Sequence, residues 1–168
     1  MTLWYNMAMK TLPELTQSII HTLEARGESI TFAESCTGGQ LAAAFTAISG
    51  ASAVFNGSVV SYANTIKEQW LGVQHSTLAQ HGAVSRECVA EMLIGVLNMA
   101  HADYAIAVSG IAGPTGGTPD KPVGTVYIGI QTPETSIIYH HVFEGNRESV
   151  QRQSVEFAIK TLHEMIKK

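Results

Sequence analysis

Tyr104-Ala105-Ile106-Ala107-Val108 is an unbroken apolar run that leads into Ser109-Gly110. Successive side chains of a strand point to opposite faces, so a strand with no polar member is buried on both. Such a strand needs helices over both faces of its sheet. The run therefore points to a layered α/β fold with a parallel core.

The other periodicities supply the layers. Thr11-Leu12-Pro13-Glu14 reads as a capping box with Pro in the first turn. Leu12, Leu15, Ile19 and Leu23 then recur at helical spacing up to a stop at Gly27. Residues 30–33 read as a strand, residues 38–48 as an alanine-rich helix closed by Gly50, and the β-branched residues 58–62 as a second strand. Short helices follow over 64–70 and 75–81. Ser85 caps a longer one, with Val89, Met92, Leu93, Val96, Leu97 and Ala100 on its apolar face. After a Gly/Pro loop over 113–121, residues 123–130 and 136–143 form a hairpin, and Asn146 caps a last helix to about Ile166. The expected fold is a layered α/β/α domain with a mixed central sheet and helices on both faces.

Composition narrows the class of function. The 168 residues suit one domain, taken as 11–168, with 1–10 as an N-terminal extension in which Met7 or Met9 are alternative starts. A net charge of -4 gives no global basic field, so no nucleic-acid partner is expected. Two cysteines, Cys36 and Cys88, cannot build a secreted disulfide framework. No apolar run approaches the roughly 18 residues of a membrane span, and residues 1–10 lack a signal-peptide core. A cytoplasmic protein without a membrane partner is expected.

Two glycine turns follow apolar strands. Ala33-Glu34-Ser35-Cys36-Thr37-Gly38-Gly39 opens a helical run, and Ser109-Gly110-Ile111-Ala112-Gly113-Pro114 follows the apolar strand that begins at Tyr104. The first sets hydroxyls, a thiol and backbone N–H groups at a strand-to-helix turn, beside the positive end of a helix dipole. Several chemistries compete for it. A Ser-His-Asp triad has only Asp103 and Asp120 to draw on, and none of the seven histidines lies in the glycine turns. Metal spacing is absent, since His140 and His141 are adjacent on a strand and face opposite ways. Thr37-Gly38-Gly39 offers a phosphate cradle, but no Gly-Lys-Ser/Thr makes it a nucleotide triphosphate loop. Ser35 activated by Lys67, with Tyr62 orienting or relaying, is a further option, because burial can bring a lysine pKa toward working pH. Cys36 at a helix start is a rival nucleophile. The residues alone leave Ser35, Cys36 and the cradle in competition.

The ordered motifs carry a resemblance. The two glycine turns, Tyr62-Ala63-Asn64 with Lys67, Gly72-Val73, His81-Gly82-Ala83-Val84-Ser85, Gly116-Gly117 and Lys121-Pro122-Val123-Gly124-Thr125-Val126 occur in one order along the chain. In this the chain resembles the CinA C-terminal domain family and its stand-alone nicotinamide-nucleotide amidases. The resemblance implies hydrolysis of nicotinamide mononucleotide to nicotinate mononucleotide and ammonia in NAD recycling. It implies Ser35 as nucleophile, Lys67 and Tyr62 as base and relay, and no metal or organic cofactor. Cys36, Thr37, Gly38 and Gly39 would supply an oxyanion site through their N–H groups, and Ser109, Gly110 and Gly113 a substrate pocket.

The nucleotide phosphate would need a cation. Of Arg26, Arg86, Arg147 and Arg152, the last shares a helix stripe with Val155, Ile159 and Ile166 and is the expected partner. A homodimer is expected from the apolar stretch 41–48 and the helix after Ser85. Relatives more often read Tyr-Ser-Asn where this chain has Ala63, and Thr65 and Ile66 also depart from the pattern. A non-catalytic nucleotide-binding module of a competence or DNA-damage pathway is the alternative.

Overall fold

The computed structural model describes residues 10–167, so the expected extension falls outside it except for Lys10. The chain runs α1 (Leu12–Arg26), β1 (Ile30–Glu34), α2 (Gln40–Thr46), a 3-10 turn (Ala51–Ala53), β2 (Phe55–Val60), α3 (Asn64–Leu71), α4 (His75–His81), α5 (Arg86–Ala100), β3 (Tyr104–Gly110), β4 (Thr125–Gln131), β5 (Ser136–Val142) and α6 (Arg147–Ile166). The capping box forms as the sequence predicts, with Thr11 and Glu14 serving each other's N–H groups, and Gly27 closes α1 in the left-handed region.

The sheet order is β2-β1-β3-β4-β5. β2, β1 and β3 are parallel, while β4 and β5 join antiparallel. The layered α/β reading with a mixed sheet holds. On one face Phe32, Ile106 and Ile128 pack with Ile19 and Leu23 of α1, Phe45 of α2 and Ile159 of α6. On the other, Ala33, Ala105 and Ala107 meet Val89, Met92 and Leu93 of α5. The small residues on this second face bring α5 close: a Cβ on Gly129 would lie 2.7 Å from Leu93 Cδ1. Every residue of β3 up to Ser109 is buried, as its sequence demands. No helix among the described residues is long and apolar enough to cross a membrane.

Several boundaries differ from expectation, two of them for a clear physical reason. β2 begins at Phe55, not residue 58. Asn56 and Gly57 are weak strand formers, but pairing overrides propensity: Phe55 pairs with Ile30 and Gly57 with Thr31, leaving Asn56 bulged. α2 begins at Gln40, because Gly38 and Gly39 sit at φ 60° and 100°, outside any right-handed helix.

Candidate active site

The C-terminal ends of β1, β2 and β3 share one sheet edge, where ligands of open α/β sheets bind. Register pairs Ala33 with both Val59 and Ala107. Carried two residues on, it sets Ser61, Ser35 and Ser109 in one row. The ladder continues that far: the Ser35 N–H donates to Val108 O at 3.0 Å and the Ser61 N–H to Glu34 O at 2.9 Å.

Lys67 lies above this row. It stands in α3, is 1 % exposed, and turns its ammonium group to three acceptors. Nζ donates to Ser61 O at 2.7 Å, to Tyr62 O at 3.2 Å and lies 3.1 Å from Ser35 Oγ. These carbonyls end β2 early, because they turn to the lysine instead of to a neighbouring strand. Burial pushes the Lys67 pKa below the usual lysine value, while Cys88 and Cys36 pull the other way. In its neutral form the amine keeps two N–H bonds to the carbonyls and presents its lone pair to the Ser35 hydroxyl. That is the geometry of a nucleophile and its base.

The turn after Ser35 is held by a residue that the sequence alone does not single out. Glu34 is fully buried, and its carboxylate accepts from Thr37 Oγ1 at 2.8 Å, the Leu41 N–H at 2.9 Å and the Ala42 N–H at 3.1 Å. The positive end of α2 is thus occupied by the chain's own anion. That leaves fewer N–H groups at this helix start for the phosphate cradle among the competing readings, and the Thr37 hydroxyl is committed inward. Gly38 spends its N–H on Ser35 O. Among the described residues the N–H groups of Cys36, Thr37 and Gly39 have no partner.

The remaining expected residues divide. Cys36 is buried in the core beneath the turn, and burial pushes its thiol up to about 12. A thiol in that state is a poor nucleophile at neutral pH, which counts against the rival reading. Ser109 is buried and donates to Ala83 O at 2.8 Å, fastening β3 to the segment before α5. Gly110 is where β3 and β4 crowd: an added Cβ would lie 2.8 Å from Thr125 O. Gly113, at φ 81°, offers its carbonyl to a guanidinium.

That guanidinium is Arg147, not Arg152. Arg147 donates to Gly113 O at 2.9 Å and to Tyr62 Oη at 2.7 Å. The Tyr62 hydroxyl is therefore engaged by Arg147, and Tyr62 reaches Lys67 through its backbone carbonyl; a relay through its hydroxyl is not what the geometry assembles. Arg152 is turned to solvent, its side chain 61 % exposed and paired with Glu156 at 3.2 Å. The buried stripe of α6 runs through Leu162, Ala158 and Ser154, and its continuation toward the N-terminus passes Gln151 and Arg147. That row was the signal available in the sequence. Gln151 donates to Cys36 O at 2.8 Å, tying α6 to the turn after Ser35. Arg147 and Gln151 line a cleft of about 610 Å³ with Ala112, Pro114 and Val123. A larger groove of about 730 Å³ is lined by Lys10 and one face of α1, and it contains none of the residues assembled around Ser35.

The CinA C-terminal domain profile matches residues 12–166. A protein of Shigella flexneri named nicotinamide-nucleotide amidohydrolase PncC is 47% identical over 157 residues, covering 93% of this chain and 95% of that protein. The PncC protein of Enterobacter agglomerans is 48% identical over 163 residues, 96% of this chain and 99% of its own. The crystal structure of the competence damage-inducible protein A (ComA) from Klebsiella pneumoniae superposes with a TM-score of 0.88 at 42% identity, over 92% of this chain and 96% of that one. A profile match spanning α1 to α6, near-half identity to two proteins of matching length, and a shared fold lead to one assignment: the chain belongs to the CinA C-terminal domain family.

Proposed function

We propose that the chain is an amidohydrolase that converts nicotinamide mononucleotide to nicotinate mononucleotide and ammonia. The observation that carries this reading is the buried contact of 3.1 Å between Lys67 Nζ and Ser35 Oγ. The names of the relatives from Shigella flexneri and Enterobacter agglomerans support the substrate class.

An amide is a weak electrophile, so its cleavage calls for an activated nucleophile and a site for the oxyanion. Neutral Lys67 takes the Ser35 proton as Oγ bonds to the carboxamide carbon. The resulting ammonium is held by the Ser61 and Tyr62 carbonyls. The unpartnered N–H groups of Cys36 and Thr37 are the donors nearest in sequence to the oxyanion. As the C–N bond breaks, Lys67 returns its proton to the leaving nitrogen, which departs as ammonia. Water then attacks the ester carbon and gives a proton to Lys67, and Ser35 Oγ leaves and recovers that proton. Arg147, which lines the cleft, is the cation for the nucleotide phosphate.

The reading includes a single amidohydrolase domain over 11–168, a homodimer, a cytoplasmic setting and a place in NAD recycling. Ammonia assayed from purified protein and nicotinamide mononucleotide tests its chemistry. Release that Ser35→Ala abolishes is the expected result. No release from the wild type, or undiminished release from Ser35→Ala, overturns it.

A further inference from the structure

Ser61 is 0 % exposed, yet its Oγ has no hydrogen-bond partner among the described residues. A buried hydroxyl without a partner is costly and calls for a reason. The only other side-chain atom in that position among the described residues is His141 Nε2, packed against Phe143 and Phe157. Ser61 stands instead in the row with Ser35. Its N–H is fixed on Glu34 O at 2.9 Å and its carbonyl receives Lys67 Nζ at 2.7 Å, the shortest of the three contacts that lysine makes.

The three contacts fill the hydrogen-bonding positions of a tetrahedral nitrogen while Ser35 is free. Acylation changes this. Ser35 Oγ becomes an ester oxygen with no proton to give, so the neutral amine loses its third partner midway through the cycle. The hydroxyl of Ser61, whose own carbonyl already holds that amine, is the one left unpaired in the free protein.

The geometry points to Ser61 as a positioning residue for the second half of the reaction. Its hydroxyl, by rotation about χ1, donates to Lys67 Nζ while Ser35 carries the acyl group, and releases it when water delivers its proton. The unpaired hydroxyl of the resting protein is then the partner reserved for the acylated one. This rests on the covalent Ser35 reading above.

Slower hydrolysis of the ester lowers kcat and KM together and leaves kcat/KM, which reports acylation, intact. The test mixes the full chain with nicotinamide mononucleotide, quenches in acid and follows the acyl adduct by intact mass. In Ser61→Ala the adduct is expected to decay at least roughly fivefold more slowly than in the wild type, the scale of one lost hydrogen bond. kcat/KM should stay within about twofold, and the melting temperature should not fall, because the change removes an unpaired buried hydroxyl. Ser61→Thr, which keeps the hydroxyl, should restore decay. Adduct decay at the wild-type rate in Ser61→Ala overturns the role of Ser61 and leaves the Ser35 reading standing. So does a parallel fall of kcat and kcat/KM without adduct. A wild type that forms no adduct overturns the role of Ser61, and an active Ser35→Ala overturns the Ser35 reading with it.

Discussion

Lys67 Nζ lies 3.1 Å from Ser35 Oγ across 32 residues of chain, and almost no water reaches either group. The contact is built by the sheet: parallel pairing of β1 and β2 brings the Ser35 turn beside the Ser61-Tyr62 turn, and α3 folds back so that Lys67 reaches between them. Burial favours the neutral amine, which is the form that can accept a proton.

The first prediction is a pH dependence. The folded Lys67 pKa lies below its unfolded value of about 10.4. Between the two values the unfolded chain binds more protons, so this group makes stability rise with pH across that window; its penalty is complete below the folded value and gone above the unfolded one. Activity should rise with pH through the same folded pKa. Lys67→Arg keeps donors for both carbonyls but cannot deprotonate, so kcat should fall by about 10² or more at every accessible pH. A pH–rate profile of both proteins checks this; an Arg variant that retains the rising limb would refute it.

Cys36 gives the second. Its thiol, pushed up to about 12 by burial, is protonated at neutral pH and lies in the core rather than in the cleft. Cys36→Ala should keep kcat within about threefold while costing stability of about 1–2 kcal/mol through the small void it leaves. Ammonia release and thermal unfolding measured on one preparation separate the two effects. Loss of turnover with the fold intact would return the thiol to the mechanism.

Arg147 and Arg152 give the third. Arg147 faces the cleft and is fixed by Gly113 O and Tyr62 Oη, whereas Arg152 faces solvent. A charge-assisted hydrogen bond to a phosphate is worth about 1.5–3 kcal/mol. Arg147→Ala should therefore raise KM by roughly tenfold or more with a smaller effect on kcat. Arg152→Ala loses only an exposed i,i+4 pair of about 0.3–0.5 kcal/mol and should leave both constants within about twofold. Tyr62→Phe releases the guanidinium without touching the carbonyl on Lys67, so its cost should appear in KM. A collapse of kcat would instead restore the hydroxyl to the proton path.

The readable and unreadable parts of this molecule differ in physical kind. Tyr104 to Val108 declares a doubly covered strand because burial on both faces is written in composition. Thr11, Gly27, Ser85 and Asn146 mark helix ends because caps are local chemistry. Ser35 and Lys67 are open to suspicion from their turn and spacing, but their contact depends on strand register, which a linear reading does not fix. Glu34 escapes notice because an acidic residue at a strand end ordinarily faces water; here three donors from the next turn and helix enclose it. Arg152 outranks Arg147 only against the edge of the α6 stripe; the centre of that stripe carries Leu162, Ala158 and Gln151 and leads to Arg147. The start of β2 shifts by three residues because a bulge carries Asn56, and a bulge is a property of the pair.

Ala63 gives the last prediction. It is the N-cap of α3, at φ -80° and ψ 149°, and no side chain caps the helix there. A serine fits that backbone conformation and would accept from the Thr65 N–H, the Ile66 N–H being spent on Ala63 O at 3.1 Å. A serine here is therefore expected to act as a cap on the helix that carries Lys67. Ala63→Ser should stabilise the protein by about 0.5–1 kcal/mol, a rise in melting temperature of about 1–4 °C for a chain of this size. Because the Ser61 and Tyr62 carbonyls already fix Nζ, kcat should change less than about twofold. Thermal unfolding read beside ammonia release decides the matter. A large gain in kcat without a gain in stability would mean that position 63 acts on the lysine itself.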